Sequence, residues 1–296
     1  MQPDQLKEMM RHVGIEHRMS RCVSLSGGSI HDVRRIDFDD HHSLVVKIAA
    51  GRQGACQLKS EMSGLQALSS KVTESLTVPE VIGFHESDEM SLLFMEHLDS
   101  GQHDEDGWKA FGKSLAGFHE SIDADRYGFD HDNFIGSTPQ KNDWNDDWVD
   151  FNRVCRLGPQ VELASSAGHL SATHRSLFER LIRRLGDWLP KSPKPSLLHG
   201  DLWSGNVLML EGNRTAIIDP ACSIGDAWAD IAMMQLFGGI PNCCMEAYAT
   251  ARTDDSSFPS DRVAIYQLYH VLNHVNLFGR SYLAQAVAIA ESVLSR

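Results

Sequence analysis

The chain has 296 residues, and 27 Lys and Arg against 40 Asp and Glu give it a formal net charge of −13. Its length predicts two structural units, and its 42% hydrophobic and 23% charged residues exclude a disordered chain, collagen and a coiled coil. The acidic excess repels phosphate backbones and anionic lipids, so we expect neither a nucleic acid nor a membrane as partner.

The sequence also predicts the cellular compartment. No apolar run approaches the roughly 18 residues that a membrane span needs, and the first residues lack the apolar stretch of a secretory signal. None of the six cysteines lies in a C-x-x-C motif, and the adjacent pair Cys243 and Cys244 suits neither an ordinary disulfide nor a zinc knuckle. We therefore expect reduced thiols and a cytoplasmic protein.

The first third of the chain predicts a small β-rich unit. Its predicted elements, in chain order, are an amphipathic helix over residues 4–19, strands over 21–25, 33–38 and 44–49, a helix over 55–70, and strands over 81–84 and 92–96. Polar turns at residues 26–29 and 39–42 separate the first three strands. This pattern is typical of an antiparallel meander.

The remainder is predicted to be mainly helical. Helices are expected over residues 108–122, 144–157, 170–189 and 259–280, with a β-rich island over 197–218. The polar stretch 99–106 is interpreted as a hinge, which divides the chain into an N-lobe over residues 1–98 and a C-lobe over 99–296. Two lobes joined by a short tether predict a cleft between them, where ligands usually bind.

The densest chemical signal lies in the β-rich island. Asp201 and Asn206 stand five residues apart between two apolar runs, and Asp219 ends the next apolar run. Phosphoryl transfer from ATP needs such a set: a carboxylate that orients and deprotonates the attacking hydroxyl, with a second carboxylate and an amide oxygen for Mg²⁺. Protein kinases space these groups as H-R-D-x-x-x-x-N followed by D-F-G.

Two neighbours of Asp201 refine this prediction. His199 occupies the position that kinases use to brace the catalytic loop, so we assign it structural support rather than acid–base chemistry. Gly200 replaces the usual arginine, which removes the partner of a phosphorylated activation loop. An enzyme without that control, as in small-molecule kinases, is expected to be always active.

Two further segments predict contacts to the phosphates of ATP. Lys47 lies near the end of an apolar strand, and Glu61 falls on the apolar face of the helix that follows it. A carboxylate that points inward is costly unless it is paired, which predicts a Lys47–Glu61 ion pair. Gly27, Gly28 and Ser29 occupy the turn where kinases place a glycine-rich cover, so we expect backbone N–H contacts to phosphate there.

Other constellations are less favoured. His270 and His274 have the i, i+4 spacing of a zinc site but lack the intervening glutamate of zinc proteases, and aromatic and aliphatic neighbours indicate packing. Ser204 does not have the spacing of a nucleophile elbow, which disfavours a serine hydrolase. Trp144, Trp148 and Phe151 follow helical spacing and are predicted to lie in the core.

The residues quoted above, with several longer blocks, resemble the fructosamine (ketosamine) kinases. This family is a branch of the protein-kinase-like fold close to the aminoglycoside phosphotransferases. The resemblance covers nearly the whole chain and rests on residues 25–30, the Lys47 strand, 127–140, 199–206, 219–221, 236–239 and 268–279. The tryptophan at position 203 and the block 129–140 are more specific than the three polar residues, which many kinases share.

The resemblance implies an α+β, bilobal protein-kinase-like fold and ATP- and Mg²⁺-dependent phosphorylation of a sugar hydroxyl on a ketoamine. Asp201 would act on that hydroxyl, Asn206 and Asp219 would hold Mg²⁺, and Lys47, fixed by Glu61, would steady the phosphates. Trp203 would line the sugar side. The linker that would meet the adenine consists of Met95, Glu96, His97 and Leu98.

One departure from the family pattern leaves the acceptor open. Residues 222–228 read Cys-Ser-Ile-Gly-Asp-Ala-Trp, where the family often has aromatic residues and then an Arg-Glu pair. The sequence therefore leaves open which ketoamine is used, whether its amine belongs to a protein or to a free small molecule, and the oligomeric state. The alternatives are a kinase for another small alcohol, such as an aminoglycoside or a choline-like amine, and a non-catalytic nucleotide-binding protein.

Overall fold

A computed structural model of the chain describes residues 3–25, 31–73, 75–102, 104–253 and 260–296. Its N-terminal part contains a five-stranded sheet with the order β1-β2-β3-β6-β5, in which every neighbouring pair is antiparallel. The strands are β1 (Met19–Ser24), β2 (Asp32–Phe38), β3 (Ser43–Ala50), β5 (Val81–Glu86) and β6 (Met90–Glu96), with the short β4 (Leu76–Thr77) outside this sheet. The predicted meander is thereby confirmed.

The first helix is shorter than predicted. Helix α1 covers Pro3–His12, and Met19 already belongs to β1. The helix ends because Gly14 adopts φ +81°, its N–H donates to Arg11, and the N–H of Ile15 reaches back to Met10 at 2.9 Å. This is the hydrogen-bond pattern of a glycine-terminated helix, in which a left-handed residue closes the last turn. Ile15 and Met10 are buried in one apolar cluster.

Helix α2 (Gly51–Ser69) connects the sheet to the site. Its buried side chains include Leu58, Leu65 and Leu68, and Glu61 lies on the same buried face. A Cβ added at Gly64 would stand 2.9 Å from the ring of Pro220, so only glycine lets the helix approach that segment so closely. The helix is therefore packed directly against the residues that follow Asp219.

The C-terminal part is mainly helical. Its α-helices are α3 (Glu105–His119), α4 (Trp148–Phe151), α5 (Gly158–Ser166), α6 (Ala172–Arg183), α7 (Trp228–Leu236), α8 (Asn242–Ala251), α9 (Ser260–Phe278) and α10 (Leu283–Leu294). A π-helical segment, Asn152–Leu157, lies between α4 and α5. Short 3-10 turns are found at Leu185–Asp187, Ser204–Asn206, Glu211–Asn213 and Arg280–Tyr282. The sequence did not predict α5, α7, α8 and α10. In α7 most side chains are buried, so no amphipathic period marks it.

The helix predicted over 144–157 begins later than expected. The side chain of Asp147 accepts a hydrogen bond from the N–H of Asp150. Asp147 is therefore the N-cap of α4, and Trp148 is the first residue of the helix. Trp148 and Phe151 lie in the core as predicted. Trp144 precedes the cap and is 38% exposed, so the prediction that it lies in the core was wrong.

Short paired strands flank the segments that contain Asp201, Asn206 and Asp219. Strand β9 (Pro195–Leu198) pairs with β12 (Ser223–Asp226), and β10 (Val207–Met209) pairs with β11 (Thr215–Ile217). Strand β11 also pairs in parallel with β4, and β7 (Asn133–Ile135) pairs with β8 (Thr138–Gln140). In the part of the chain that the structure describes, no helix is long and apolar enough to cross a membrane.

Candidate active site

The loop His199–Asn206, called the 199–206 loop below, joins β9 to β10. The side-chain amide of Asn206 donates to the backbone oxygen of Asp201 at 2.8 Å and lies 3.4 Å from its carboxylate. The backbone N–H of Ile218 donates to the backbone oxygen of Asn206 at 3.0 Å, which places Asp219 beside this loop. The three polar residues that the sequence predicts to act together are thus neighbours.

Lys47 lies between two carboxylates. Its ammonium is 2.6 Å from Glu61 in α2 and also forms an ion pair with Asp219. The side chains of Lys47 and Glu61 are only 8% and 11% exposed, whereas that of Asp219 is 40% exposed. The ion pair predicted between Lys47 and Glu61 is therefore present, and it connects the sheet, α2 and the segment after β11.

His199 is fully buried below the loop. Its Nε2 lies 2.8 Å from the backbone oxygen of Ile218, and the N–H of Asp201 donates to its Nδ1 at 3.3 Å. Since Nε2 faces a carbonyl, it carries the proton, which leaves Nδ1 as the acceptor. Burial lowers the pKa of His199, in keeping with a neutral ring. The side chain thus braces the loop from inside.

Gly200 lets the loop pass close to the segment after Asp219. It adopts φ +83°, and an added Cβ would stand 2.1 Å from the backbone oxygen of Ala221. The backbone N–H of Ala221 also donates to the oxygen of His199 at 2.8 Å. A larger residue at position 200 would therefore separate the loop from the Asp219 segment.

The carboxylates differ in their electrostatics. Burial, together with the negative charges of Asp219 and Asp230, raises the pKa of Asp201 to about 7. Burial likewise raises the pKa of Glu61, although the charge of Lys47 opposes this rise. The two anions raise the pKa of the Lys47 ammonium despite the cost of burying it. Lys47 therefore stays charged at neutral pH.

An open cleft of about 1330 Å³ lies above these groups. Its lining includes residues 95–98 as well as Trp203, Asn206, Lys47 and Asp219. A connected space of about 800 Å³ is lined by Asp201, Trp203, His31, Phe134 and Gly136. All predicted site residues except His199 and the glycine turn thus line one space. Gly27, Gly28 and Ser29 lie outside the described residues.

The donor set near Asp219 suits a hard cation. Carboxylate and amide oxygens are the ligands that Mg²⁺ prefers, and the side-chain oxygen of Asn206 is left for such a role because its amide nitrogen already donates to Asp201. Elsewhere in the described ranges, the only group of at least three His, Cys, Asp or Glu donors close enough to share an ion comprises His17, Asp40 and His42, all exposed. His270 and His274 do not belong to such a group.

Sequence reasoning missed Asp230 in α7. Its buried carboxylate accepts hydrogen bonds from the N–H groups of His199 and Gly200, both at 2.8 Å, and lies 3.2 Å from Nε2 of His119. Burial favours the neutral carboxyl, but the hydrogen bond and charge of His119 hold the pKa of Asp230 below its usual range. The sequence did offer a signal, an aspartate directly before the apolar run 231–234. A carboxylate that is buried with such a run needs hydrogen-bond partners.

Comparison with known proteins identifies the family of this chain. A model of the fructosamine kinase family matches residues 1–296, which is the whole chain. The chain belongs to the fructosamine kinase family. A "Probable ketoamine kinase" from Synechocystis is 33% identical over 288 residues, which cover 97% of this chain and 95% of the relative. The chloroplastic protein-ribulosamine 3-kinase of Arabidopsis thaliana is 32% identical and covers 99% and 89%, respectively.

Solved structures confirm the fold class of this fructosamine kinase family member. A crystal structure named "Putative fructosamine-3-kinase", from Haemophilus somnus, superimposes with a TM-score of 0.84 at 26% identity and covers 97% of this chain and 95% of its own. A spectinomycin phosphotransferase gives a TM-score of 0.63 at 13% identity, covering 100% and 99%, which shows a shared fold only. The predicted family and the protein-kinase-like architecture, with its β-rich N-terminal and helical C-terminal parts, are both confirmed.

Proposed function

We propose that the protein is an ATP-dependent kinase that phosphorylates a sugar hydroxyl of a ketosamine. One observation carries this proposal: in a chain of the fructosamine kinase family, one cleft is lined by all five of Lys47, Glu61, Asp201, Asn206 and Asp219. These residues come from a sheet strand, a helix and two loops. A protein that only binds nucleotide does not need all five, so their convergence favours an enzyme.

Asp201 is the proposed base. A hydroxyl that attacks phosphorus must lose its proton as the new bond forms, and a side chain whose pKa is close to the working pH accepts that proton efficiently. The pKa of Asp201, raised to about 7 by burial and neighbouring charges, meets this requirement. Asn206 holds the loop conformation that keeps the Asp201 carboxylate at the cleft.

The other polar residues are proposed to bind the nucleotide. Asn206 and Asp219 would hold Mg²⁺, which supplies positive charge to the phosphates when it is bound. Lys47, oriented by Glu61, would contact the phosphates from the sheet. The linker segment 95–98 would meet the adenine, and the glycine turn at positions 27–29 is still predicted to cover the phosphates.

Trp203 is proposed to line the acceptor side. Its side chain is 37% exposed and lines the cleft together with Asp201. An indole face suits both a sugar ring and a substrate ammonium. The departure at residues 222–228 lies mainly in buried β12 and at the start of α7, where Trp228 packs edge-on against Tyr248. Trp228 therefore belongs to the core.

Several finer assignments stay predictions. We retain the division into lobes at residues 98 and 99, a ketoamine acceptor that is either free or linked to a protein, and a cytoplasmic location. A kinase for an aminoglycoside or a choline-like amine is the nearest alternative. The likeness to a spectinomycin phosphotransferase concerns the fold alone, and the ketoamine acceptor is supported by family membership.

An acceptor screen tests the function. The purified chain is incubated with ATP, Mg²⁺ and fructosamine, ribulosamine, erythrulosamine, aminoglycoside or choline acceptors, and products are analysed by mass spectrometry. We expect phosphate on ketosamines. Asp201→Asn should abolish transfer while ATP still binds, whereas the exposed Asp187→Asn should keep full activity. Phosphorylation of aminoglycosides alone, or undiminished transfer by Asp201→Asn, would refute the proposal.

A further inference from the structure

Two histidines and an aspartate converge at the turn between β2 and β3. Nδ1 of His17 lies 2.6 Å from Oδ2 of Asp40, and Nδ1 of His42 lies 3.4 Å from the same oxygen. One donor atom from each residue lies within 4.8 Å of the other two. We call these three side chains the histidine–aspartate cluster.

The backbone of the turn holds Asp40 and His42 in place. The N–H of His41 donates to the oxygen of Phe38 at 3.2 Å, and the N–H of Phe38 donates to the oxygen of His42 at 3.0 Å. His41 adopts φ +68°, the left-handed conformation that tight turns use. The N–H of His42 also donates to Oδ1 of Asp40 at 3.2 Å, which is the usual Asx-turn contact. Oδ2 of Asp40 therefore remains available to the two imidazoles.

The segment that carries His17 is fixed against the same turn. The N–H of Asp39 donates to the backbone oxygen of Arg18 at 3.0 Å, and the guanidinium of Arg18 pairs with the Asp39 carboxylate at 3.3 Å. The ring of His17 lies against that of Phe38, with centroids 5.4 Å apart. The cluster is thus assembled by backbone and ring contacts between two separate segments of the chain.

The donor set of the histidine–aspartate cluster suits Zn²⁺. Two imidazoles and one carboxylate give three protein ligands and leave the fourth tetrahedral position for water. Ligands that bind zinc at about 2.0–2.1 Å in a tetrahedron are about 3.3 Å apart, close to the 3.4 Å between His42 and Asp40. The hydrogen bond of His17 would have to widen by about 0.7 Å to reach this spacing. The three side chains are exposed, so an ion with its water can reach them.

This donor chemistry differs from that of the cleft. Imidazole nitrogen favours zinc, whereas Mg²⁺ favours oxygen ligands such as those of Asn206 and Asp219. The cluster residues are absent from the lining of the cleft in the part of the chain that the structure describes. We propose that His17, Asp40 and His42 bind one Zn²⁺ ion, which links the segment before β1 to the turn between β2 and β3.

The protons of the cluster are compatible with this ion. An ionised carboxylate only accepts hydrogen bonds, so Nδ1–H of His17 donates to Asp40 before the ion binds. When Nδ1 binds the ion, the neutral ring carries its proton on Nε2 instead. A neutral imidazole therefore needs only a change of tautomer, and no other group has to take up its proton.

The ion would stabilise an edge of the sheet. Strand β1 is the edge strand beside β2, and its register with β2 shifts between Met19 and Arg21. A link from His17 to the β2–β3 turn would fix the chain two residues before this strand. A ligand that binds only the folded chain raises its Tm. This inference does not depend on the proposed function, since it concerns stability rather than phosphate transfer.

Zinc titrations of the chelator-treated full chain test the inference. We expect calorimetry to show one Zn²⁺ ion that binds with a dissociation constant of about 10 µM or below and is not displaced by millimolar Mg²⁺. The Tm should rise by about 5 °C when Zn²⁺ is about 100-fold above that constant. His17→Ala and His42→Ala should each weaken binding at least about tenfold. His12→Gln, which replaces an exposed histidine of α1, is the matched control and should bind Zn²⁺ normally.

Two results would overturn the zinc site. One is binding that is equally tight in His17→Ala, His42→Ala and the unaltered chain. The other is binding that is lost in Asp219→Asn but kept in both histidine variants, because the ion would then occupy the cleft. A zinc-dependent rise in Tm that disappears in His42→Ala would support the site, whether or not the chain phosphorylates ketosamines.

Discussion

The carboxylate of Asp230 accepts a 2.8 Å hydrogen bond from the backbone N–H of His199, which ties helix α7 to the start of the 199–206 loop. The N–H of Gly200 donates to its other oxygen at the same distance. Two successive N–H groups bound by one carboxylate fix the direction in which the chain enters the loop. Asp230 is therefore a positioning residue, one that acts on Asp201 through the backbone.

Asp230→Asn should lower both stability and kcat. An asparagine turns an NH₂ group towards one of the two backbone donors, so at least one buried N–H loses its acceptor, at a cost of about 2 kcal/mol. We expect kcat to fall more than KM for ATP changes. Urea denaturation and steady-state kinetics measure the two effects.

The neighbouring Asp226 offers a matched control. It is also buried, but it binds Tyr266 and Arg262 rather than the loop. Asp226→Asn should reduce stability with little change in kcat for the folded protein. If both variants lose kcat equally, Asp230 has no special role in positioning the loop.

Substitutions of the Lys47–Glu61 pair should affect stability and catalytic activity independently. Lys47→Met leaves a buried carboxylate without its cation and should cost about 3 kcal/mol of unfolding free energy. The double variant Lys47→Met, Glu61→Gln should regain much of that stability, because no buried charge remains, yet it should stay inactive. Denaturation midpoints and ATP turnover test both statements.

Lys59→Met is the control for this pair. Lys59 lies on helix α2, as Glu61 does, and it forms an ion pair with Glu86 at the surface. Exposed ion pairs contribute little, so we expect a change below about 1 kcal/mol and normal turnover. A double variant that is active would show that Lys47 does not serve the phosphates.

Asp219→Asn tests the metal assignment. Asp219 adopts φ +58°, a left-handed conformation that asparagine tolerates, so the substitution removes charge without backbone strain. The affinity for ATP in the presence of Mg²⁺ should fall about tenfold or more, while the affinity without Mg²⁺ changes little. Calorimetric titrations with and without Mg²⁺ give both values, and equal affinities for the variant and the wild type would argue against the assignment.

His270 predicts a pH dependence of stability. Burial is the main cause that lowers the pKa of this histidine to about 3, well below its ordinary 6.5. Between these values the unfolded chain binds a proton that the folded chain does not, so stability falls as the pH drops below 6.5. The contribution that is lost by pH 5 is about 2 kcal/mol.

In the variant His270→Gln the glutamine side chain cannot ionise. Its unfolding free energy should therefore depend less on pH between 7 and 5 than that of the wild type. His12→Gln, which replaces an exposed histidine, should leave the slope unchanged. A slope that is identical in the His270 variant and the wild type would show that other groups cause the acid sensitivity.

The contacts that were predicted from the sequence and are present in the structure were predictable for physical reasons. Asp201 and Asn206 are five positions apart in one loop, so their contact is local and the spacing alone indicates it. Glu61 could be paired with Lys47 because a carboxylate on an apolar helix face needs a cation nearby. The antiparallel order of the first three strands followed from short polar turns.

The errors have physical reasons too. Apolar periodicity extended α1 beyond Gly14, although the positive φ of that glycine ends the helix. Helix α7 lacks an amphipathic period because it is buried on most sides, so both the helix and Asp230 were missed. Side-chain capping by Asp147 placed Trp144 outside α4.

Residue identities and short spacings along the chain were enough to predict the chemical groups of the site and the family. The folded chain was needed to show that Asp230 holds the 199–206 loop, that Phe237 packs against Trp203 and that His274 packs against Phe237. These three contacts join residues more than 30 positions apart, and they depend on how helices α7 and α9 pack in the C-terminal core. No local spacing rule records such packing.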